Sequence, residues 1–229
     1  MSLLGESAVA IWHDIAPEGR DEFYAWHGEE HMPERIAIPG FLRGRRYVAI
    51  RGDLEFFNLY ETQNMGVVTG PDYLARLNNP TPWTLSTVKH FRNVARSLCW
   101  VAASVGYGQG GLIATWRYDV PGERADSHRK QMIETILPAL AARRLVAGVH
   151  LLIADEEASA VDTAERKARP EKNRIPRWIF LLEGWGDIEA FDALCREVLP
   201  DRVLGELGAG PADYGLYQLQ TTRGKTGAG

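Results

Sequence analysis

The chain has 229 residues, about one and a half times the roughly 150 residues of a typical domain, so it holds one large domain or two small ones. Hydrophobic residues make up 45% and charged residues 24% of it, which excludes collagen-like, low-complexity and largely disordered chains. Thirty acidic residues against 26 basic ones leave a formal charge of -4, the wrong balance for a general nucleic-acid or polyanion binder.

The first residues, MSLLGESAVAIWHDIAPEG, carry Glu6 and Asp14, lack a basic stretch and are broken by His13. They read as a strand and not as a secretory signal. No uncharged apolar run reaches the roughly 18 residues of a membrane span, so no membrane partner is expected. Cys99 and Cys195 lie far apart without CxxC spacing, as buried thiols of a cytoplasmic protein would.

In chain order, Ala8 to Ile15 alternates as a strand, with Val9, Ile11 and Ile15 against Ala10, Trp12 and Asp14. Pro17 with Glu18, Asp21 and Glu22 opens a helix that runs toward Arg35, because proline and carboxylates both favour a helix start. Strands follow at Arg45 to Ile50 and Glu55 to Thr62, joined by the turn Arg51-Gly52-Asp53-Leu54. A helix around Tyr73 to Leu77, a second through Phe91 and a strand near Ser97 to Ser104 complete β-α-β-β-α-β. The glycine-rich stretch 106–111 then reads as a linker.

The pattern restarts at Ile113, where Trp116 and Pro121 echo Trp12 and Pro17. A helix from Glu123 to Arg144, strands at Val149 to Ala154 and Trp178 to Glu183, a helix from Ile188 to Val198 and a strand from Tyr214 to Thr221 complete a second copy. It is interrupted by the charged insert 155–175, expected to be a mobile excursion with one helical turn. The sequence thus predicts an α+β chain of two ferredoxin-like units, 1–105 and a degenerate 112–223, with a frayed tail at 224–229. Each unit has one antiparallel sheet with helices on one face, so packing sheet to sheet buries both bare faces.

The stretch Trp26-His27-Gly28-Glu29-Glu30-His31-Met32-Pro33-Glu34-Arg35, followed by Ile38-Pro39-Gly40-Phe41, resembles the dimeric α+β barrel superfamily, and within it the EthD-like and related tandem-repeat proteins. The resemblance is strong over residues 8–105 and architectural over the second half. It implies a fused two-repeat barrel. It does not select a reaction, because this fold hosts oxygenases, cyclases, dehalogenating and haem enzymes, and regulators.

The histidines are unevenly spread. His13, His27, His31 and His90 fall in the first half, His128 and His150 in the second. Laying Trp12 on Trp116 carries His13 to Arg117, His27 to Gln131 and His31 to Thr135, so the second copy lacks the pair. On a helical wheel Phe23, Tyr24, Trp26, His27, Glu30, His31 and Glu34 share one half, while Ala25, Gly28, Met32 and Ile36 share the other. The aliphatic half reads as the core face and the other as a cleft lining, although patterned aromatics are more often packing. His27 to His31 also fits the H-x-x-E-H spacing of a zinc helix, but Gly28 and Pro33 weaken it and no third ligand follows, so no metal is assigned.

An imidazole titrates near neutrality. The candidate catalytic residues are therefore His27 and His31 as base, Glu30 orienting them, and Tyr60 polarising an oxygen. His13, Trp26, Tyr47, Asn58 and Phe56 are the candidate substrate-binding residues, with Arg45 as a neighbour. Arg43, Arg45 and Arg46 read as a solvated turn, and Pro82-Trp83 as a packing or covering loop. The glycines of 106–111 precede a strand, so no phosphate-cradling helix terminus follows them. The leading reading is an enzyme without a cofactor, transferring a proton on an enolisable or phenolic molecule held in the barrel cavity. A non-catalytic binding or regulatory protein and a haem or metal protein stay as alternatives, and a homodimer through edge strands stays open.

Overall fold

A computed structural model describes residues 2–225. The first half comprises β1 (Ser7–Ile15), α1 (Arg20–Trp26), a π-helical turn (His27–His31), α2 (Met32–Ala37), β2 (Phe41–Arg51), β3 (Phe56–Thr62), α3 (Met65–Thr69), α4 (Pro71–Asn78), α5 (Pro82–Val88) and β4 (Phe91–Gly106). The second comprises β5 (Leu112–Tyr118), α6 (Ala125–Gln131), a π-helical turn (Met132–Ile136), α7 (Leu137–Ala141), β6 (Val146–Ala154), α8 (Glu156–Ala160), α9 (Ala164–Lys167), β7 (Trp178–Gly184), α10 (Ile188–Val198), α11 (Asp201–Glu206) and β8 (Asp213–Gly224). Of the expected frayed tail, Gly224 closes β8, and residues 226–229 lie outside the described residues. No helix among the described residues is long and apolar enough to cross a membrane.

All eight strands pair antiparallel in one closed barrel ordered β1-β3-β2-β8-β5-β7-β6-β4. Each half contributes the same spatial order, β4-β1-β3-β2 and β8-β5-β7-β6. Closure gives every strand two neighbours, so no strand is left as a sheet edge of the kind expected to pair with a second copy. Alternation along each strand sends one set of side chains inward and the other outward under the helices. Trp12, Tyr47, Phe57, Leu59, Ile113, Leu181 and Tyr217 fill the barrel interior. So does a buried ion cluster, in which Arg45 lies 2.9 Å from both Glu61 and Glu183, and His150 meets Glu183 at 3.2 Å. Among the described residues the interior is a packed core, and side chains occupy the space where a ligand cavity was expected. Both cysteines are free and buried.

Three further expectations change. β4 begins at Phe91, so α5 ends earlier than the sequence implied. Arg43, Arg45 and Arg46 belong to a continuous strand and not to a solvated turn. The Trp12–Trp116 correspondence is one residue out of register: Trp12 points inward, its indole donating to Thr115 Oγ1 at 3.2 Å, whereas Trp116 packs outward against Phe180 and Tyr214. A one-residue slip on a strand exchanges the two faces. Pro33 and Pro138, each just after a π turn, give the consistent match, which carries His13 to Tyr118, His27 to Met132 and His31 to Ile136. By strand register Asn58 then matches Phe180 and Tyr60 matches Leu182.

The π turns have a local cause. Proline has no N–H to continue the ladder, and in both halves the residue before it bonds five positions back, Met32 N–H to the His27 carbonyl and Leu137 N–H to the Met132 carbonyl. π turns often mark functional sites, but here the same turn recurs in both halves and is architectural.

The insert 155–175 is the largest departure. It holds α8 and α9 and packs on the first half, along the stretch of β4 that pairs with β1 but not with β6. Asp155 N–H donates to the Leu98 carbonyl (2.8 Å), Arg174 N–H to the Val94 carbonyl (2.8 Å), and Arg96 N–H back to the Arg174 carbonyl (2.9 Å). Ser159, Thr163 and Glu165 are buried there. The insert is thus a roof built by the second half over the first.

Candidate functional site

Under that roof lies a cavity between the outer face of the first-half sheet and its helices. It is lined by Ile11, Trp26, His27, His31, Asn58, Tyr60, Phe91 and the arginines 35, 96 and 169, among others, and has a volume of about 30 Å³. An outer cavity of about 80 Å³, lined by Val68, Tyr73, Leu77, Leu98, Ala158 and Val161, adjoins it. A single water needs roughly 10–15 Å³, so the inner space holds about two waters.

The helix face that enters this layer is the aromatic and histidine one. Phe23, Trp26, His27 and His31 are buried together with Met32 and Ile36, while Ala25 and Gly28 are partly exposed. The wheel's assignment of the core to the aliphatic half is therefore corrected. The π turn inserts an extra residue and the sheet offers polar partners, so the histidine stripe faces β3.

His27 has a defined tautomer. Its Nδ1 lies 3.2 Å from Arg46 Nη1, and arginine can only donate. Nδ1 is therefore an acceptor, the ring proton sits on Nε2, and Nε2–H donates to Tyr60 Oη at 3.1 Å. Arg46 is held in turn by Gln220 Oε1 at 3.1 Å and by the Tyr24 ring at 4.9 Å. Burial, then the neighbouring His31 and Arg46, hold the His27 pKa well below the usual imidazole value. Since the Tyr60 oxygen accepts from His27, its own hydroxyl proton is left to donate elsewhere. Burial raises the Tyr60 pKa, which keeps it a neutral phenol.

His31 stands against Trp26 (4.3 Å between ring centroids) and stacks on His27 (5.6 Å, 27° between planes). Its Nδ1 is buried and has no partner. Burial first, then Arg35 and Arg169, depress its pKa, so the ring is neutral at pH 7. His13 sits where the β1–β4 register shifts, and such bulges re-aim side chains. Its Nδ1 faces the Asp14 carbonyl at 3.4 Å and its Nε2 accepts from Asn58 Nδ2 at 3.0 Å, leaving Asn58 Oδ1 buried and unpartnered. Burial lowers the His13 pKa to about 3. Phe56 stacks beside His13, with 5.3 Å between ring centroids.

The structure therefore gathers His27, His31, Tyr60, Asn58 and Trp26 at one cavity, with His13 and Phe56 immediately behind them. Two of the expected residues lie elsewhere. Glu30 accepts from Thr81 Oγ1 (2.6 Å) and Thr84 Oγ1 (3.2 Å), and Thr84 in turn takes the Trp26 indole N–H (3.1 Å), so Glu30 ties α5 to the helix instead of orienting a histidine. Tyr47 points into the barrel and stacks on Phe57, on the opposite face of the sheet from Tyr60, and Arg45 goes with it.

The pair fails as a chelate for a stated reason. Arg46 occupies one nitrogen of His27 and the other carries the proton, so His27 has no free lone pair for a metal. Among the described residues no cluster of three or more His, Cys, Asp or Glu side chains is arranged to hold one.

Arg35, Arg46, Arg96, Glu165 and Arg169 are the site residues that sequence reasoning passed over. Glu165 and Arg169 come from the insert, where the spacings Asp162/Arg166 and Glu165/Arg169 are one helical turn each and form i,i+4 pairs. That spacing was the available signal for order in the insert. Nothing in the chain order says that it returns to cover residues far upstream.

No family model matches the chain, and no curated protein is significantly similar to it in sequence. Solved structures do match. An anthrone oxidase-like protein is 12% identical with a TM-score of 0.62, over 95% of this chain and 92% of that one. A candidate monooxygenase from Fusobacterium nucleatum is 11% identical with a TM-score of 0.58, over 98% and 97%. Another from Lactobacillus acidophilus is 12% identical with a TM-score of 0.58, over 96% of each. At these identities the likeness shows the fold alone, and that fold is the α+β barrel implied by the histidine-containing stretch.

Proposed function

We propose that the chain is a small-molecule enzyme built from two fused ferredoxin-like units, 1–105 and 112–223 joined by 106–111, which moves a proton on an enolisable or phenolic substrate in the first-half pocket. The observation that carries this reading is the polarity of the His27–Tyr60 hydrogen bond. It frees the Tyr60 proton beside two other uncommitted buried atoms, His31 Nδ1 and Asn58 Oδ1. Buried polar groups are normally paired, and unpaired ones converging on a cavity are what a ligand would satisfy.

In this reading His31 Nδ1 takes the proton from the acidic C–H or O–H. The neutral Tyr60 hydroxyl donates to the oxygen on which negative charge develops, and His27 Nε2–H backs Tyr60 as that charge spreads to it. His27 is a positioning residue and His31 the base, a sharper division than the sequence allowed. Asn58 Oδ1 accepts from a substrate hydroxyl. The near-complete coverage of the barrel neighbours supports a chain whose two halves act as one unit. Two buried free thiols agree with a cytoplasmic setting.

The neighbour described as anthrone oxidase-like makes anthrone, a ketone with an acidic methylene, the first compound to try. Exchange of its methylene protons with deuterium, followed by NMR together with a panel of other enolisable ketones and phenols, is expected to exceed the buffer rate. His31→Phe and Tyr60→Phe each remove about 100-fold or more of the enhancement. No acceleration with any member of the panel, or full exchange by His31→Phe, rejects the reading.

A further inference from the structure

The inner and outer cavities share a waist formed by Tyr73, Leu77, Arg96, Glu165 and Arg169. Charge is out of balance there. Glu165, itself buried, serves two guanidiniums: it accepts from Arg169 Nη2 at 2.9 Å and also pairs with Arg35. Arg35 has a second carboxylate in Glu34, which Arg76 shares from the surface. Arg96 donates to the Tyr73 hydroxyl at 3.0 Å, and among the described residues it forms no ion pair with a carboxylate. Arg169 lies against the Phe91 ring at 5.4 Å, its Nη1 reaches Asn173 only at 3.5 Å, and its Nε is buried without a partner. Three arginines thus face two carboxylates, and the histidines beside them are neutral. Arg96 is half-buried and has no carboxylate, and the enclosed Arg169 shares its one carboxylate with Arg35 and leaves Nε unpaired, so an incoming anion would satisfy a buried donor and offset the excess positive charge.

The waist opens outward onto apolar walls, Val68, Leu74, Leu98, Ala158 and Val161. The unpartnered Nε–H of Arg169 and the guanidinium of Arg96 both border the waist, so the two oxygens of a carboxylate could be shared between them. We infer that the waist binds a carboxylate, so that the substrate of the proposed reaction is an organic acid with an apolar aryl or alkyl body. The insert then acts as more than a cover: it delivers Arg169, a specificity-determining residue, from the second half into a pocket built by the first. This inference rests on reading the pocket as a substrate site, and it names the class of substrate.

The test is a binding measurement that needs no turnover. Calorimetry on the full chain compares 2-naphthoate with its neutral isostere 2-naphthamide, and phenyl phosphate with benzoate. The wild type is expected to bind naphthoate at least tenfold more tightly than naphthamide, and benzoate more tightly than phenyl phosphate. Arg169→Gln should lose the preference for the acid while still binding the amide, and Arg169→Lys should keep part of it. Should Arg169→Gln fail to fold, Glu165→Gln serves instead: removing the competing carboxylate should tighten naphthoate several-fold and leave naphthamide unchanged. Equal affinities for acid and amide in the wild type, a preference surviving in Arg169→Gln, an unchanged Glu165→Gln, or tighter phosphate binding each overturns the inference. Carboxylate binding without proton exchange keeps this inference and sinks the proposed reaction; exchange without carboxylate preference does the reverse.

Discussion

The helix–sheet layers of the two halves have the same backbone course, including a π turn before a proline, and opposite contents. The first presents His13, His27, His31, Asn58 and Tyr60. At the matched positions the second presents Tyr118, Met132, Ile136, Phe180 and Leu182, within a continuous apolar cluster. The second layer also holds a Tyr–His pair, with the hydrogen bond reversed. His128 Nδ1–H donates to the Leu207 carbonyl at 2.9 Å, so its Nε2 accepts from the Tyr118 hydroxyl at 3.0 Å. Tyr118 has spent its proton on a histidine, whereas Tyr60 has received one from its histidine and keeps its own. The same two residue types thus make a structural peg in one layer and an available donor in the other, and the difference is set by what touches the far nitrogen.

Acid should break this contrast most strongly. Three first-half histidines have folded-state pKa values pushed down by burial, His13 to about 3 and the other two well below normal. Their stabilising contribution is complete above the unfolded value near 6.5 and is lost as pH falls toward the folded values, because the unfolded chain binds the extra protons. Each such histidine can lower stability by up to about 1.4 kcal/mol per pH unit below its unfolded value, so the decline with acid is steep and grows with the number of the three that are present. Urea unfolding at stepped pH measures this, and a chain carrying His13→Asn, His27→Gln and His31→Phe should show a much shallower decline.

The next effect concerns packing. Met132→Ala should cost about 2–5 kcal/mol, since Met132 is fully enclosed by the second-half core. His31→Phe at the matched layer should be neutral or up to about 1 kcal/mol stabilising, because it removes an unpaired buried nitrogen. Equal losses in the two variants would erase the distinction between a packed layer and a functional one.

The smallest effect is the most specific. Tyr60→Phe and Tyr118→Phe should each cost about 1–2 kcal/mol by leaving a histidine nitrogen unpaired. Only Tyr60→Phe should affect ligand binding or exchange. Nitrogen-15 NMR of the imidazoles should find the proton on Nε2 in His27 and on Nδ1 in His128; the same tautomer in both would remove the contrast.

Much of the architecture was legible in the sequence because it is written in local periodicity: alternation in Val9, Ile11 and Ile15 gave the first strand, and Pro17 and Pro33 punctuated the helix. Register was less legible. The Trp12–Trp116 echo is conspicuous in composition, but a strand's two faces differ by a single step, and the prolines after the π turns gave the true match. The candidate site was legible as a set of residues on one helix and one strand, and His27, His31, Asn58 and Tyr60 do meet. The barrel lumen was the wrong place for it, because Trp12, Tyr47 and the Arg45 cluster already occupy that space. Arg169 and Glu165 were out of reach, since their role depends on a loop crossing from one half to the other, and no local pattern encodes that contact.

The roof is spliced between β6 and β7, two neighbouring strands whose hydrogen bonds pin both of its ends. With its ends already held together the roof needs little further closure entropy, and the cost of ordering its residues is offset by the hydrogen bonds and buried side chains it places on β4. A molecule in the inner cavity is touched by both halves at once, by His27, His31 and Tyr60 of the layer beneath and by Glu165 and Arg169 of the roof. An occupant shut beneath it also becomes thermodynamically linked to both halves of the barrel. It would protect the whole chain against unfolding by an amount that grows with the logarithm of its concentration over its dissociation constant.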